Sequence, residues 1–94
     1  MEQLKNAYTD EFFKAVLTLE NVDECYKFFE DVCTVKELQS IAQRFTVAKM
    51  LTEKKVYSEI VDEVGASTAT ISRVNRSLSY GSNGYELVFK RMGK

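Results

Sequence analysis

Residues 57–78, YSEIVDEVGASTATISRVNRSL, carry short hydroxyl side chains and arginines at a spacing suited to hydrogen bonding and ion pairing rather than to making or breaking bonds. Read as two helices broken at Gly65, the stretch puts Ile60 and Val64 on one face of the first helix. Ala66 follows the turn, and Ile71 and Val74 supply the inward face of the second. Thr68, Ala69, Thr70, Ser72, Arg73 and Arg76 are left outward, small or hydroxylic in front and basic behind. A major groove admits such a helix, with methyls and hydroxyls toward base edges and guanidinium groups toward phosphates. Gly65 stands where the chain must leave the first helix, in a left-handed conformation that costs glycine little, and Ser67 is placed to cap the second. An ordinary helical corner would share the apolar spacing, but its outward face would usually carry acids.

Charge is divided along the chain in the same sense. Residues 1–65 hold 8 Lys and Arg against 13 Asp and Glu, a net of −5; residues 66–94 hold 5 against 1, a net of +4. A near-neutral protein therefore has a basic end, which phosphate backbones favour, and an acidic remainder that they repel. Lys54 and Lys55, just ahead of the two helices, are further candidates for phosphate contact.

These elements need a scaffold. The chain has 94 residues, no proline or tryptophan, and four glycines, all at or after residue 65, so nearly uninterrupted helix is expected over the first two thirds. A first helix is predicted from after Thr9, with Phe12, Phe13, Val16, Leu17 and Leu19 on a broad apolar face. Asn21 and Glu24 form a capping-box pattern for a second, bearing Val22, Cys25, Tyr26, Phe28, Phe29 and Val32. Thr34 and Glu37 form a better one, opening a long third helix through Leu38, Ile41, Phe45, Ala48 and Leu51 to about Thr52. The polar run TEKK leads into the two helices around Gly65, Gly81 or the SYGSNG segment closes the second of them, and Tyr85 to Met92 makes a sixth helix. One domain is expected, and a chain this short buries only about 60–65% of its unfolded surface. A monomer would have to expose several of Phe12, Phe13, Phe28, Phe29, Leu87 and Phe89, so a homodimer is predicted.

Other classes find little support. There is no histidine to act as base or ligand, no Gly-rich phosphate loop and no Cys-x-x-Cys pair, so neither an enzyme nor a metal site is expected. If both lie on one helix, Cys25 and Cys33 are about 12 Å apart along its axis, too far for a disulfide, and they read as reduced structural thiols. No segment is apolar enough to span a bilayer and MEQLKNAYTDE lacks signal-peptide character, so a cytoplasmic protein is expected. The alternative is a helical adaptor that binds protein and no DNA; the hydroxyl-rich face and basic C-terminal third speak against it.

The spacing of TVKELQSIAQRFTVAKML followed by YSEIVDEVGASTATISRVNRSL resembles the Trp repressor superfamily, and the whole chain is most similar to its YerC/YecD-type branch. GASTATISRVNRSL is the most specific part. The resemblance implies a single domain over residues 1–94 with an all-α, six-helix fold. It further implies an intertwined homodimer in which residues 1–52 and 82–94 form dimerisation helices around a helix-turn-helix at 56–79. The implied partner is double-stranded DNA, met by Tyr57, Ser58, Ser67, Thr68, Ala69, Thr70, Ser72, Arg73 and Arg76. The implied role is repression of an amino-acid biosynthesis or related metabolic operon. The superfamily's amino-acid effector pocket maps onto Thr34, Arg44, Arg73 and Ser77, with Arg44 suited to a carboxylate and Arg73 to covering a ring. Val74 replaces the glycine that leaves space for an indole, and Cys33 replaces an aliphatic wall residue. The resemblance therefore does not carry tryptophan over as ligand; a smaller amino acid or no effector is expected, and no cofactor.

Overall fold

The computed structural model describes residues 2–93. Their helices are α1 (Ala7–Val16), α2 (Val22–Val32), α3 (Val35–Thr52), α4 (Tyr57–Val64), α5 (Thr68–Tyr80) and α6 (Gly84–Arg91), with no strand among the described residues. The chain divides into two compact units, Met1–Leu38 and Gln39–Lys94.

In the first unit, α1 begins ahead of the predicted point. Asn6 is its N-cap: the Asn6 carbonyl oxygen of the side chain accepts the Thr9 backbone N–H at 2.9 Å, so Thr9 is a first-turn residue and the helix starts at Ala7. Asn21 caps α2 as predicted, accepting the Glu24 N–H at 2.9 Å, but the Glu24 carboxylate reaches back to the Glu20 N–H rather than to the cap itself. Phe12, Phe13, Phe28 and Phe29 cluster, with Phe12–Phe28 centroids 5.8 Å apart and Phe28–Phe29 edge to face at 5.5 Å. Even so, α1 and α2 contain no buried residue; Tyr8 is 87% and Leu17 83% exposed. Cys25 is exposed and Cys33 half-buried, both free thiols.

The predicted Thr34–Glu37 capping box closes on both sides. The Thr34 hydroxyl accepts the Glu37 N–H at 3.1 Å, and the Glu37 carboxylate accepts the Thr34 N–H at 2.8 Å. The Thr34 backbone N–H, and secondarily its hydroxyl, hold the Glu37 carboxyl below the usual carboxylate range. This contribution to stability is complete above the ordinary glutamate value and is lost as pH falls through the lowered one.

The second unit has the core: Val47, Ala48, Met50, Ile60, Ala66, Ile71, Val74 and Phe89. Ile60 and Ile71 are fully buried, and such a side chain contributes about 1.5–3 kcal/mol by leaving water. Val47 and Met50 lie off the predicted apolar stripe of α3. They are buried because they share one core cluster with Ile60 of α4, Ile71 and Val74 of α5 and Phe89 of α6. Ile41, on the predicted stripe, is exposed, because its turn lies N-terminal to that core. Phe89, expected to be surplus, is buried against Phe45 with centroids 5.1 Å apart and against Tyr85 at 6.1 Å.

The ends of α3 and α4 are closed by different residues. After Thr52 the Lys54 N–H donates to the Leu51 carbonyl and the Lys55 N–H to the Met50 carbonyl, the two bonds of a Schellman motif. The left-handed residue of that motif is Lys54, at φ 67°. A side chain there costs about 1–2 kcal/mol that glycine would not. By contrast, α4 ends on Gly65 at φ 74°, whose N–H donates to the Val61 carbonyl. The chain then passes through Ala66 to Ser67, and Gln43 of α3 donates to the Val64 carbonyl at 3.4 Å. Gly81 closes α5 as predicted; a Cβ there would collide with the Ser77 carbonyl oxygen.

Candidate nucleic-acid interface

Two helices joined by a three-residue turn, Gly65–Ala66–Ser67, present α5 on the surface of the second unit. The turn holds because each residue has a separate task. Gly65 takes the left-handed conformation, Ala66 is buried, and Ser67 caps α5 by accepting the Thr70 N–H at 3.1 Å. The Ser67 hydroxyl also donates to the Thr70 hydroxyl at 3.1 Å, so its proton is used inside the turn while that of Thr70 stays available.

Along α5 the inward residues Ile71 and Val74 are buried and Leu78 is half-buried. Thr68, Ala69, Ser72, Arg73 and Arg76 are exposed and Thr70 half-buried, so the predicted face is outward except at Thr70, which leans on the turn. At 3.6 residues per turn Ala69, Ser72, Arg73 and Arg76 share one arc opposite Ile71, Val74 and Leu78. Neither arginine has an ion-pair partner among the described residues, where the one pair is Lys55–Glu63 at 3.7 Å. The structure adds Tyr80, 84% exposed, to the same arc, four residues beyond Arg76. That i+4 spacing is visible in the sequence, but Tyr80 sits beside glycines and reads there as part of the loop.

Tyr57 and Ser58 are exposed in the first turn of α4. The helix that follows has no lysine or arginine and carries Glu59, Asp62 and Glu63. Its N-cap, Val56, has no side-chain oxygen; the Glu59 carboxylate accepts the Val56 N–H at 3.2 Å. Of the two lysines read as phosphate contacts, Lys55 is engaged by Glu63, and Lys54 has no such partner among the described residues.

Of the residues mapped as an effector set, one lies in the first unit and three in the second. Thr34 lies in the first unit with its hydroxyl committed to capping α3. In the second unit, Arg44 is exposed and donates to the Ser40 carbonyl and hydroxyl, each at 3.4 Å. Arg73 is exposed on the outward arc. Ser77 lines a cleft of about 590 Å³ between α5 and α6, together with Thr52, Asn83, Tyr85, Glu86 and Lys90; its walls include neither Arg44 nor Arg73. Val74 is fully committed to the core. Among the described residues no group of three or more acids or cysteines could hold a metal ion, and no helix is long and apolar enough to cross a membrane.

Comparison with known proteins agrees with this geometry over nearly the full length. The family profile described as Trp repressor protein matches residues 7–93. YerC, an uncharacterized protein of Bacillus subtilis (strain 168), is 48% identical over 92 residues, which is 98% of this chain and 88% of that protein. The crystal structure of a TrpR-like protein from Eubacterium eligens ATCC 27750 superposes with a TM-score of 0.95 at 55% identity, covering 99% of this chain and 96% of that one. A Staphylococcus aureus protein described as a candidate Trp repressor gives 0.94 at 54% identity, covering 98% and 92%. The all-α fold, the surface helix α5 and these matches together establish that the chain belongs to the Trp repressor family, a regulatory and not an enzymatic family.

Proposed function

We propose that the protein is a sequence-specific, double-stranded DNA-binding transcriptional regulator. It acts as a homodimer on a pseudo-palindromic operator and represses an amino-acid biosynthesis or related metabolic operon. Residues 56–79 form the helix-turn-helix, residues 1–52 and 82–94 the dimerising scaffold, and residues 1–94 one domain. The observation that carries this reading is the outward arc of α5: small and hydroxylic residues in front, two arginines behind with no ion-pair partner among the described residues, and Ile71 and Val74 buried beneath. Thr68, Ala69, Thr70 and Ser72 meet base edges through methyl contacts, hydroxyl bonds and bridging waters, while Tyr57, Ser58, Ser67, Arg73 and Arg76 flank them. Selection from random duplexes tests this. The recovered sites are expected to be two-fold symmetric, with half-sites about 34 Å apart or a multiple of it. Recovery of no preferred sequence would overturn the specificity.

We further propose that the ring site of the superfamily is closed in this chain, because the Val74 side chain belongs to the core. Thr34, Arg44, Arg73 and Ser77 remain the candidate contacts for a ligand smaller than tryptophan. Calorimetric titration with tryptophan is expected to give no tight binding to the wild type and measurable binding to Val74→Gly. Tight binding by the wild type would refute the closed site.

A further inference from the structure

We propose that Lys54 is a DNA phosphate contact held in place by a strained backbone, and that Lys55 is not. This assignment rests on the DNA-binding function proposed for the chain and specifies which side chain grips the backbone beside α4. When a helix-turn-helix docks, its first helix crosses the phosphate backbone. Here α4 has no lysine or arginine and carries three acids, so any cation for that strand must come from the ends of the helix. The turn before it offers two. Lys55 lies 3.7 Å from the Glu63 carboxylate of α4, an acid that offsets part of its attraction for phosphate. Lys54 is exposed and has no ion-pair partner among the described residues.

The backbone supports the same choice. Lys54 occupies the left-handed position of the Schellman turn at φ 67°, where glycine is favoured, and the equivalent position after α4 is Gly65. Strain of this kind persists where the surrounding structure over-determines it, and it clusters at binding sites. Glycine at 54 would relieve the strain and remove the cation in one step, so the two consequences have opposite signs.

The test is Lys54→Gly, measured for thermal unfolding and for duplex binding at equal protein concentration. Its unfolding midpoint is expected to rise by about 4–8 °C. Its affinity for all duplexes is expected to fall about tenfold, with the salt slope shallower by about one unit per subunit. Lys54→Gln is expected to lose the same affinity without gaining stability, which separates charge from backbone. Lys55→Gln is expected to change affinity less than about twofold. A Lys54→Gly protein that binds as tightly as the wild type, or an equal loss in Lys55→Gln, overturns the assignment of Lys54 while leaving DNA binding itself intact. A wild type that binds no duplex overturns both.

Discussion

The apparent stability of the protein is expected to rise with its own concentration, by about 2.7 kcal/mol for each hundredfold increase, as for a dimer with no stable folded monomer. The reason lies in the first unit. Its two helices have no buried residue; Phe12, Phe28 and Phe29 pack on one another, but Tyr8, Leu17, Phe13 and Tyr26 remain largely exposed. Apolar surface on that scale marks an interface. A second copy of the chain is the proposed occupant. On that basis Leu17→Glu removes two leucines from each dimer and puts charge in their place, costing at least about 3–6 kcal/mol. Denaturation at several concentrations, with sedimentation, checks both points. A compact monomer whose unfolding midpoint ignores concentration would contradict the dimer.

Arg76→Ala is expected to weaken binding to every duplex by a similar factor and to make the salt slope shallower by about one unit per subunit. Arg76 is exposed, has no ion-pair partner among the described residues and lies behind the small residues of α5, the position proposed to meet phosphate rather than base edges. Replacements of Thr68 or Ser72 are expected to behave differently, changing preference at particular base pairs with little effect on salt dependence. A loss confined to one base position in Arg76→Ala would contradict its role.

The local parts of this fold are readable in the sequence because they depend on neighbours within one turn. Ser67, Asn21, Gly65, Gly81 and the Thr34–Glu37 box act where sequence spacing places them. Asn6 escapes the same reading because Thr9, its first-turn partner, is itself a capping type. The differences on α3 and at Phe89 have another cause. Val47 and Met50 are buried against residues of α4, α5 and α6 that lie distant in sequence, which a single amphipathic stripe does not encode. Phe89 is buried through Phe45 and Tyr85, one of them distant in sequence. For the site, helical spacing shows the face of α5. It does not show that Lys55 is engaged by Glu63, since that pairing depends on how the turn folds back on α4. Nor does it show the left-handed backbone of Lys54, a position where glycine would be the usual signal.

Sequence-specific DNA binding is tested most plainly by titrating the wild-type protein with duplex DNA over a range of salt concentrations. A specific duplex is expected to bind at nanomolar or tighter levels and about a thousandfold or more above random sequence at moderate salt. The logarithm of affinity should fall linearly with the logarithm of salt, at a slope of about −0.9 for each phosphate neutralised. Absence of duplex binding at low salt, where the basic end of the chain is least screened, would contradict a DNA-binding role for α5.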